Sequence, residues 1–334
     1  MPDPSAPNAP SPTRADAAPG DGPEGDPDPR PRDDEAGRLS VIAAELARFG
    51  QRPDLTDDCA HRPGRTDLVS HDDLVEGRHF DLRRDTLAQV GAQAAVANLS
   101  DLAASGGMAG WLVWSLVLPT RLNGDAVRAL TRGFASVASV AGARVIGGNL
   151  TGTSGPLVVS VTAGGPLAGA SPITRRGAKP GEAVYVTGPL GDAALGVMAA
   201  DPEARRARHA WRPHLREAAR LAAWGQVGAM MDVSDGLLLD ACRLARASGV
   251  ALNLWPARVP RGPLLARREA TEPALAELCL SGGEDYVLLF TAGSPPPAEV
   301  GATQVGEVHR GAGLWIDGQP TRARGYDHFA GGPR

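Results

Sequence analysis

Apolar positions first recur at helical spacing from Leu39: Leu39, Ile42, Leu46 and Phe49 fall on one face of a helix. Ahead of them, residues 1–37 hold ten prolines, nine acids and three arginines, but no Val, Ile, Leu or Phe. Such a segment has nothing to bury and reads as a disordered tail outside the fold. Beyond Leu39 the pattern alternates between short β-prone runs and longer helical ones. Thr66–Ser70 reads as a short strand. Asp85 reads as the N-cap of a helix through Ser105, with Leu87, Val90, Ala94, Ala97 and Leu102 on a small-residue face. Trp111–Leu118 reads as a buried strand, Asp125–Ala141 as a helix and Leu157–Thr162 as a strand. Before that last strand, Val145 and Ile146 run into Gly147-Gly148-Asn149-Leu150-Thr151-Gly152, which the glycines mark as a turn. The order βαβαβ plus one strand makes an α/β or α+β unit of roughly 110 residues.

Gly164–Gly181 is rich in Gly, Pro and Ser and reads as the domain boundary. A second αβ pattern follows. Ala183–Thr187, Ala229–Val233, Val250–Leu254 and Tyr286–Thr291 read as strands, and Gly191–Ala200, Pro213–Trp224 and Ser234–Ser248 as helices. After Thr291 the signal weakens. The expected architecture is an N-terminal domain over 38–165 and a C-terminal α/β domain over 178–330, with no repeat at solenoid period.

Composition narrows the chemistry. The 334 residues are 43% hydrophobic and carry a net charge of -4, which argues against a nucleic-acid partner held by phosphate contacts. Without the tail the remainder is about +2, which suits a small anionic substrate. Lys179 is the only lysine, and its Arg-Gly-Ala-Lys-Pro-Gly context is not a phosphate-loop motif. Cys59, Cys242 and Cys279 are widely spaced and odd in number, with neither metal-ligand nor disulfide patterning. There is no secretory signal pattern, and the longest apolar run, Trp111–Pro119, is too short for a bilayer. The chain reads as soluble and cytoplasmic, with no membrane partner.

Several stretches carry candidate chemistry, each with a plain structural alternative. Leu68–Phe80 ends an apolar run in Ser70, His71, Asp72 and Asp73. With Asp57, Asp58 and Asp101 these could form an oxygen-rich wall for magnesium on a polyphosphate, or simply a polar strand end. In Asp232-Val233-Ser234-Asp235, extended geometry points Asp232 and Ser234 the same way and leaves Asp235 at a helix N-terminus, as metal ligand or ordinary cap. Ser281-Gly282-Gly283-Glu284-Asp285-Tyr286 and Gly147-Gly148-Asn149 are glycine turns that could admit a phosphate or be turns and nothing more. Arg175 and Arg176 could clamp phosphate or be solvated. His79 could be a ligand, a substrate contact or a capped loop residue.

Taken in order, the motifs say more than any one of them. Asp-Asp-Cys-Ala, Ser-x-Asp-x-Leu-Val-x-Gly-x-His-Phe, Ala-Asn-Leu-Ser-Asp-Leu-Ala-Ala, Ile-Gly-Gly-Asn, Ile-Thr-Arg-x-Gly-Ala-Lys-Pro-Gly, Asp-x-Ser-Asp-Gly-Leu, Ser-Gly-Gly-Glu-Asp-Tyr and Gly-Tyr-Asp-His-Phe together resemble the thiamine-monophosphate kinase family, from about Leu39 to Phe329. The resemblance implies ATP-dependent phosphorylation of thiamine monophosphate, with ATP as co-substrate and several Mg²⁺ ions as cofactors. It also implies an aminoimidazole ribonucleotide synthetase-like fold whose N-terminal sheet pairs across a homodimer into a barrel. Metal ligands would fall on Asp58, Ser70, Asp72, Asp101, Asn149, Asp232 and Asp235. Nucleotide contacts would be Gly148, Arg175 and Ser234, and substrate contacts His79, Glu284 and Tyr326. The acceptor is itself a phosphate, so no general base is needed, and charge neutralisation and alignment are the main catalytic demands.

The chain departs from that family at four places. Asp54-Leu55-Thr56 stand where Gly-x-Gly is usual, His71 replaces Thr, Asn149 replaces Asp, and Arg38 replaces Glu. His71 is a poor Mg²⁺ ligand and Asn149 carries no charge, so the changes cluster on the metal side. Two further readings follow: a sister ATP-dependent enzyme of the same superfamily, and a catalytically weakened nucleotide-binding protein.

Overall fold

A computed structural model describes residues 35–51, 55–61, 66–198 and 201–326. Most of the tail, Asp54 and the closing Asp327-His328-Phe329 lie outside the described residues. The first helix, α1 (Glu35–Arg48), takes in the last three residues of the segment assigned to the tail. There follow β1 (Ala60–His61), β2 (Asp67–Val75), α2 (Leu87–Ala104), β3 (Trp111–Pro119), α3 (Gly124–Ala141), β4 (Arg144–Thr153) and β5 (Val158–Pro166). The strands form one sheet in the order β1-β2-β5-β3-β4, antiparallel throughout except for the β3–β4 pair. That parallel pair needs a crossover, and α3 supplies it. Leu112, Leu116, Val159, Val161 and Ala163 form a core under α2 and α3 with Leu130 and Phe134.

Three local expectations change. Thr86, not Asp85, caps α2: its hydroxyl accepts from Gln89 N while Gln89 Oε1 accepts from Thr86 N, a reciprocal capping box. The glycine-rich segment expected to turn is the edge strand β4, whose Gly148 has no room for a side chain because a Cβ there would lie 2.6 Å from Trp114 O. The apolar face of α1 is not buried within the chain, with Ile42 50% and Phe49 76% exposed. Val145, Ile146 and Leu150 on β4 are also exposed.

The helix α2 positions the site. Its apolar residues run nearly all round because both faces are covered. One face meets β2, β5 and α3, and the other meets the second half of the chain. Against α3 it packs through glycines: a Cβ on Gly91 would sit 2.0 Å from Leu130 O, and one on Gly133 1.7 Å from Ala88 O.

The second half comprises β6 (Ala183–Val186), α4 (Asp192–Met198), α5 (Pro202–Arg208), α6 (Leu215–Trp224), β7 (Val227–Val233), α7 (Leu237–Ser248), β8 (Ala251–Leu254), α8 (Pro263–Glu269), α9 (Leu278–Ser281), β9 (Val287–Ala292), β10 (Thr303–His309), β11 (Gly313–Ile316) and β12 (Gln319–Thr321). Its strands form a sheet in the order β12-β11-β8-β10-β6-β9-β7, in which only β8–β11 is parallel. The core joins Val184, Val186, Met231, Val233, Leu252, Leu254 and Leu289 with Leu237, Leu238, Ala241 and Leu244 of α7. α2 and α6 close the sheet's other side near β7 and β9. Lys179 lies exposed on the connection between β5 and β6. All three cysteines are free, and among the described residues no helix is long and apolar enough to cross a membrane.

Candidate active site

Strand alternation turns Ser70 and Asp72 toward α2 and leaves His71 and Asp73 on the opposite face. Ser70 Oγ donates to Asp101 Oδ2 on α2 at 2.5 Å, while His71 Nδ1 lies 2.9 Å from Thr162 Oγ1. One residue before Asp101, Ser100 Oγ donates to Asp232 Oδ2 at the end of β7, at 2.6 Å. A single helical turn therefore joins both sheets to one point. Asp58 arrives there on the segment ahead of β1. Arg175 grips it with Nη2 at 2.6 Å from Oδ1 and Nε at 3.2 Å from Oδ2, while Asp57 Oδ1 accepts from Arg175 N at 2.8 Å.

Carboxylate oxygens of Asp58, Asp101 and Asp232 lie within 4.8 Å of one another. Burial, then the charges of Asp232, Asp58 and Asp72, push the Asp101 carboxyl well above the usual range. Burial and then Asp58 do the same to Asp232, against Ser100 and Arg175. Burial works against the Arg175 charge, but Asp58 more than restores it. The donors are all hard oxygens, on converging elements, with too little positive charge among them. That set fits a divalent cation such as Mg²⁺. Beside them Cys59 donates to Asp101 O, and burial and then Asp101 push its thiol well up, so it is not a poised nucleophile.

Asp58 and Asp101 open onto a cleft of 780 Å³ between the two sheets, while Asp232 is buried beside them. His71, Asp72, His79, Arg175, Ser234, Asp235 and Tyr326 line it. His79 Nδ1 accepts from Val75 N, which puts the ring proton on Nε2. Tyr326 donates its N–H to Asp235 O and its hydroxyl to Arg78 O, so the chain's last described residue straps the two walls together. Asp235 is held by Arg243, which also pairs with Asp240; burial first, opposed by Arg243, brings Asp240 up to about 7.

Two sets of expected residues lie elsewhere. Glu284 does not open onto the cleft; its side chain is 1% exposed and accepts from Arg208 and Gln93. Gly148 and Asn149 sit on the far edge strand. The register Asp73–Ser160–Ser115–Asn149 places Asn149 three strands from β2, roughly 14 Å by strand spacing. Conversely, Ser100, Gln93, Arg208, Arg243 and Tyr286 take part without having been picked out. Ser100 neighbours Asp101 on α2, whereas Arg243 on α7 lies eight residues beyond Asp235; Arg208 and Gln93 had no local signal.

The chain matches the model of the AIR synthase related protein N-terminal domain over residues 56–167 and that of the C-terminal domain over 179–289. It is 33% identical over 328 residues to the thiamine-monophosphate kinase of Escherichia coli K12, covering 88% of this chain and 98% of the relative. The chain belongs to the thiamine-monophosphate kinase family. The Mycobacterium tuberculosis H37Rv member is 37% identical over 270 residues, covering 77% of this chain and 78% of that one. The solved structure of AaThiL complexed with AMPPCP and TMP superposes with a TM-score of 0.79 at 29% identity, over 89% of this chain and 97% of its own. The α/β fold of two AIR synthase-related domains is thus common to this chain and the thiamine-monophosphate kinases.

Proposed function

We propose that this protein transfers the γ-phosphoryl group of ATP to the phosphate of thiamine monophosphate, giving thiamine diphosphate and ADP. The observation that carries the reading is the meeting of Asp58, Asp101 and Asp232, from three separate elements, beside a cleft that Asp58, Asp101, His79 and Tyr326 line. An oxygen of the acceptor phosphate forms the new bond to phosphorus as the bond to the ADP oxygen breaks. That oxygen is already ionised near neutrality, so the residues need move no proton.

The described residues of the 38–165 domain form one wall of this site and those of the 178–330 domain the other. Asp58, Asp101 and Asp232, with Ser70, Asp72 and Asp235, would hold Mg²⁺, which would supply neutralisation of the phosphate charges. Arg175 exchanges Asp58 for a nucleotide phosphate, Ser234 contacts the nucleotide, and His79 Nε2–H and the Tyr326 ring position the acceptor. Glu284 supports this wall from behind.

We further propose a homodimer built on the first sheet. The exposed apolar residues of β4 and the uncovered face of α1 support it, and a second copy brings Gly148 and Asn149 toward a site their own copy cannot reach. The reaction belongs to the cytoplasm, where both substrates are made available.

Purified protein with MgATP and thiamine monophosphate is expected to form thiamine diphosphate and ADP, read by chromatography. Absence of product across Mg²⁺ and Mn²⁺ titrations, with ATP still binding, would overturn the kinase reading in favour of a weakened nucleotide binder.

A further inference from the structure

The two walls of the cleft are tied together behind the reacting groups by one buried side chain. Arg208, the last residue of α5, is 5% exposed. Its Nη1 donates to Asp85 Oδ1 at 2.8 Å, on the connection that follows His79. Its Nη2 donates to the His79 carbonyl oxygen at 3.1 Å. On the opposite side, Nε and Nη2 donate to the two oxygens of Glu284, at 2.9 and 3.3 Å. Four N–H groups of one planar fork thus reach three acceptor residues on two domains, a pattern the point charge of a lysine cannot reproduce.

Two of the acceptors bear on the cleft lining, through His79 itself and through Tyr286, two residues beyond Glu284. Asp85 Oδ2 accepts from Asp81 N, fixing the turn after His79. Glu284 has φ 66° and Tyr286 φ 53°, left-handed conformations that non-glycine residues keep only when their surroundings enforce them. Glu284 N donates to Ser234 O, and Tyr286 N to Val233 O. Arg208 therefore secures the side-chain end of a strained segment whose main chain is already tied to β7. Three residues beyond Arg208, Trp211 sets its edge against the Tyr286 ring at 6.1 Å.

We propose that Arg208 is a positioning residue for the acceptor substrate: it fixes His79 and the Glu284–Tyr286 segment at the separation that thiamine monophosphate requires. This rests on the thiamine-phosphate kinase reading. A purely structural role would lower stability and leave substrate preference alone. The positioning role instead raises KM for thiamine monophosphate selectively, because the acids and Arg175 on the nucleotide side make no contact with the guanidinium.

The test compares R208K with E284Q and D85N in the full chain. Each keeps size while removing the fork or one of its acceptor charges. All three are expected to raise KM for thiamine monophosphate about 10-fold or more, with KM for ATP within about 3-fold of the parent. In ¹⁵N-histidine spectra, with the His79 resonance assigned from H79Q, R208K is expected to shift that resonance. Unchanged KM for thiamine monophosphate in variants that fold, or an equal rise for both substrates, would overturn the proposal. If R208K fails to fold, E284Q and D85N decide the kinetics. If the parent protein turns over no thiamine monophosphate, the kinase reading fails by itself, and the His79 resonance in R208K still decides whether Arg208 positions that ring.

Discussion

Asp101 and Asp232 are individually unfavourable as charges where they stand, because burial, then the field of Asp232 on Asp101 and of Asp58 on Asp232, favour the neutral form. A carboxyl whose folded pKa lies above its unfolded value costs stability as pH rises from the unfolded value through the folded one. In EDTA, Asp101→Asn and Asp232→Asn are therefore expected to melt at or above the parent temperature at pH 8, with the difference shrinking toward pH 5. Relief of each kcal/mol moves the midpoint by about 2–4 °C. Added Mg²⁺ is expected to raise the parent's melting temperature and leave the variants', while turnover falls by about 100-fold or more. Calorimetry at both pH values, with and without Mg²⁺, checks this; a variant melting well below the parent would contradict the electrostatic account. These acids were legible in the sequence because each belongs to a local motif with its own spacing. Glu284 stands out in its motif, but its partner does not, since no spacing there announces an arginine 76 residues upstream.

At the level of elements, α2 and α3 touch backbone to backbone through Gly91 and Gly133. A methyl group at position 133 would overlap Ala88 O, so Gly133→Ala is expected to destabilise by about 2–3 kcal/mol, visible as a lowered urea midpoint. Gly124→Ala, at a position with open space, is the control and is expected to be nearly neutral. The longer helices and most strands were readable because their periods are long and consistent, whereas the short α5, α8 and α9 offer too few turns to show a period. Two errors had a common cause. Gly147, Gly148 and Gly152 carry a turn signal, but in the strand Gly148 is the one whose missing side chain permits close approach to Trp114. The strands β10–β12 went unread because they are short and punctuated by glycines such as Gly306, whose missing side chain lets Asn253 O come near.

For the whole molecule, two unfinished surfaces matter: the edge strand β4 and the apolar side of α1. A long exposed edge bearing Ile146 and Leu150 is a liability unless covered. Ile146→Asp is expected to convert a dimer to a monomer, measured by light scattering after gel filtration. It is expected to reduce turnover by roughly 10-fold or more while leaving the far-ultraviolet spectrum intact. A parent protein that is monomeric at micromolar concentration would sink the dimer. The sheet partner was beyond the reach of pattern reading, because alternation along β4 says that a face is to be covered, not by what. One further property follows from the near-absence of lysine. Lys179 stands exposed on the connection between the two sheets, so among the lysine side chains an amine-reactive dye would mark that connection alone. The protein comes ready-made for a single-label fluorescence measurement of how its two halves move as ligands bind.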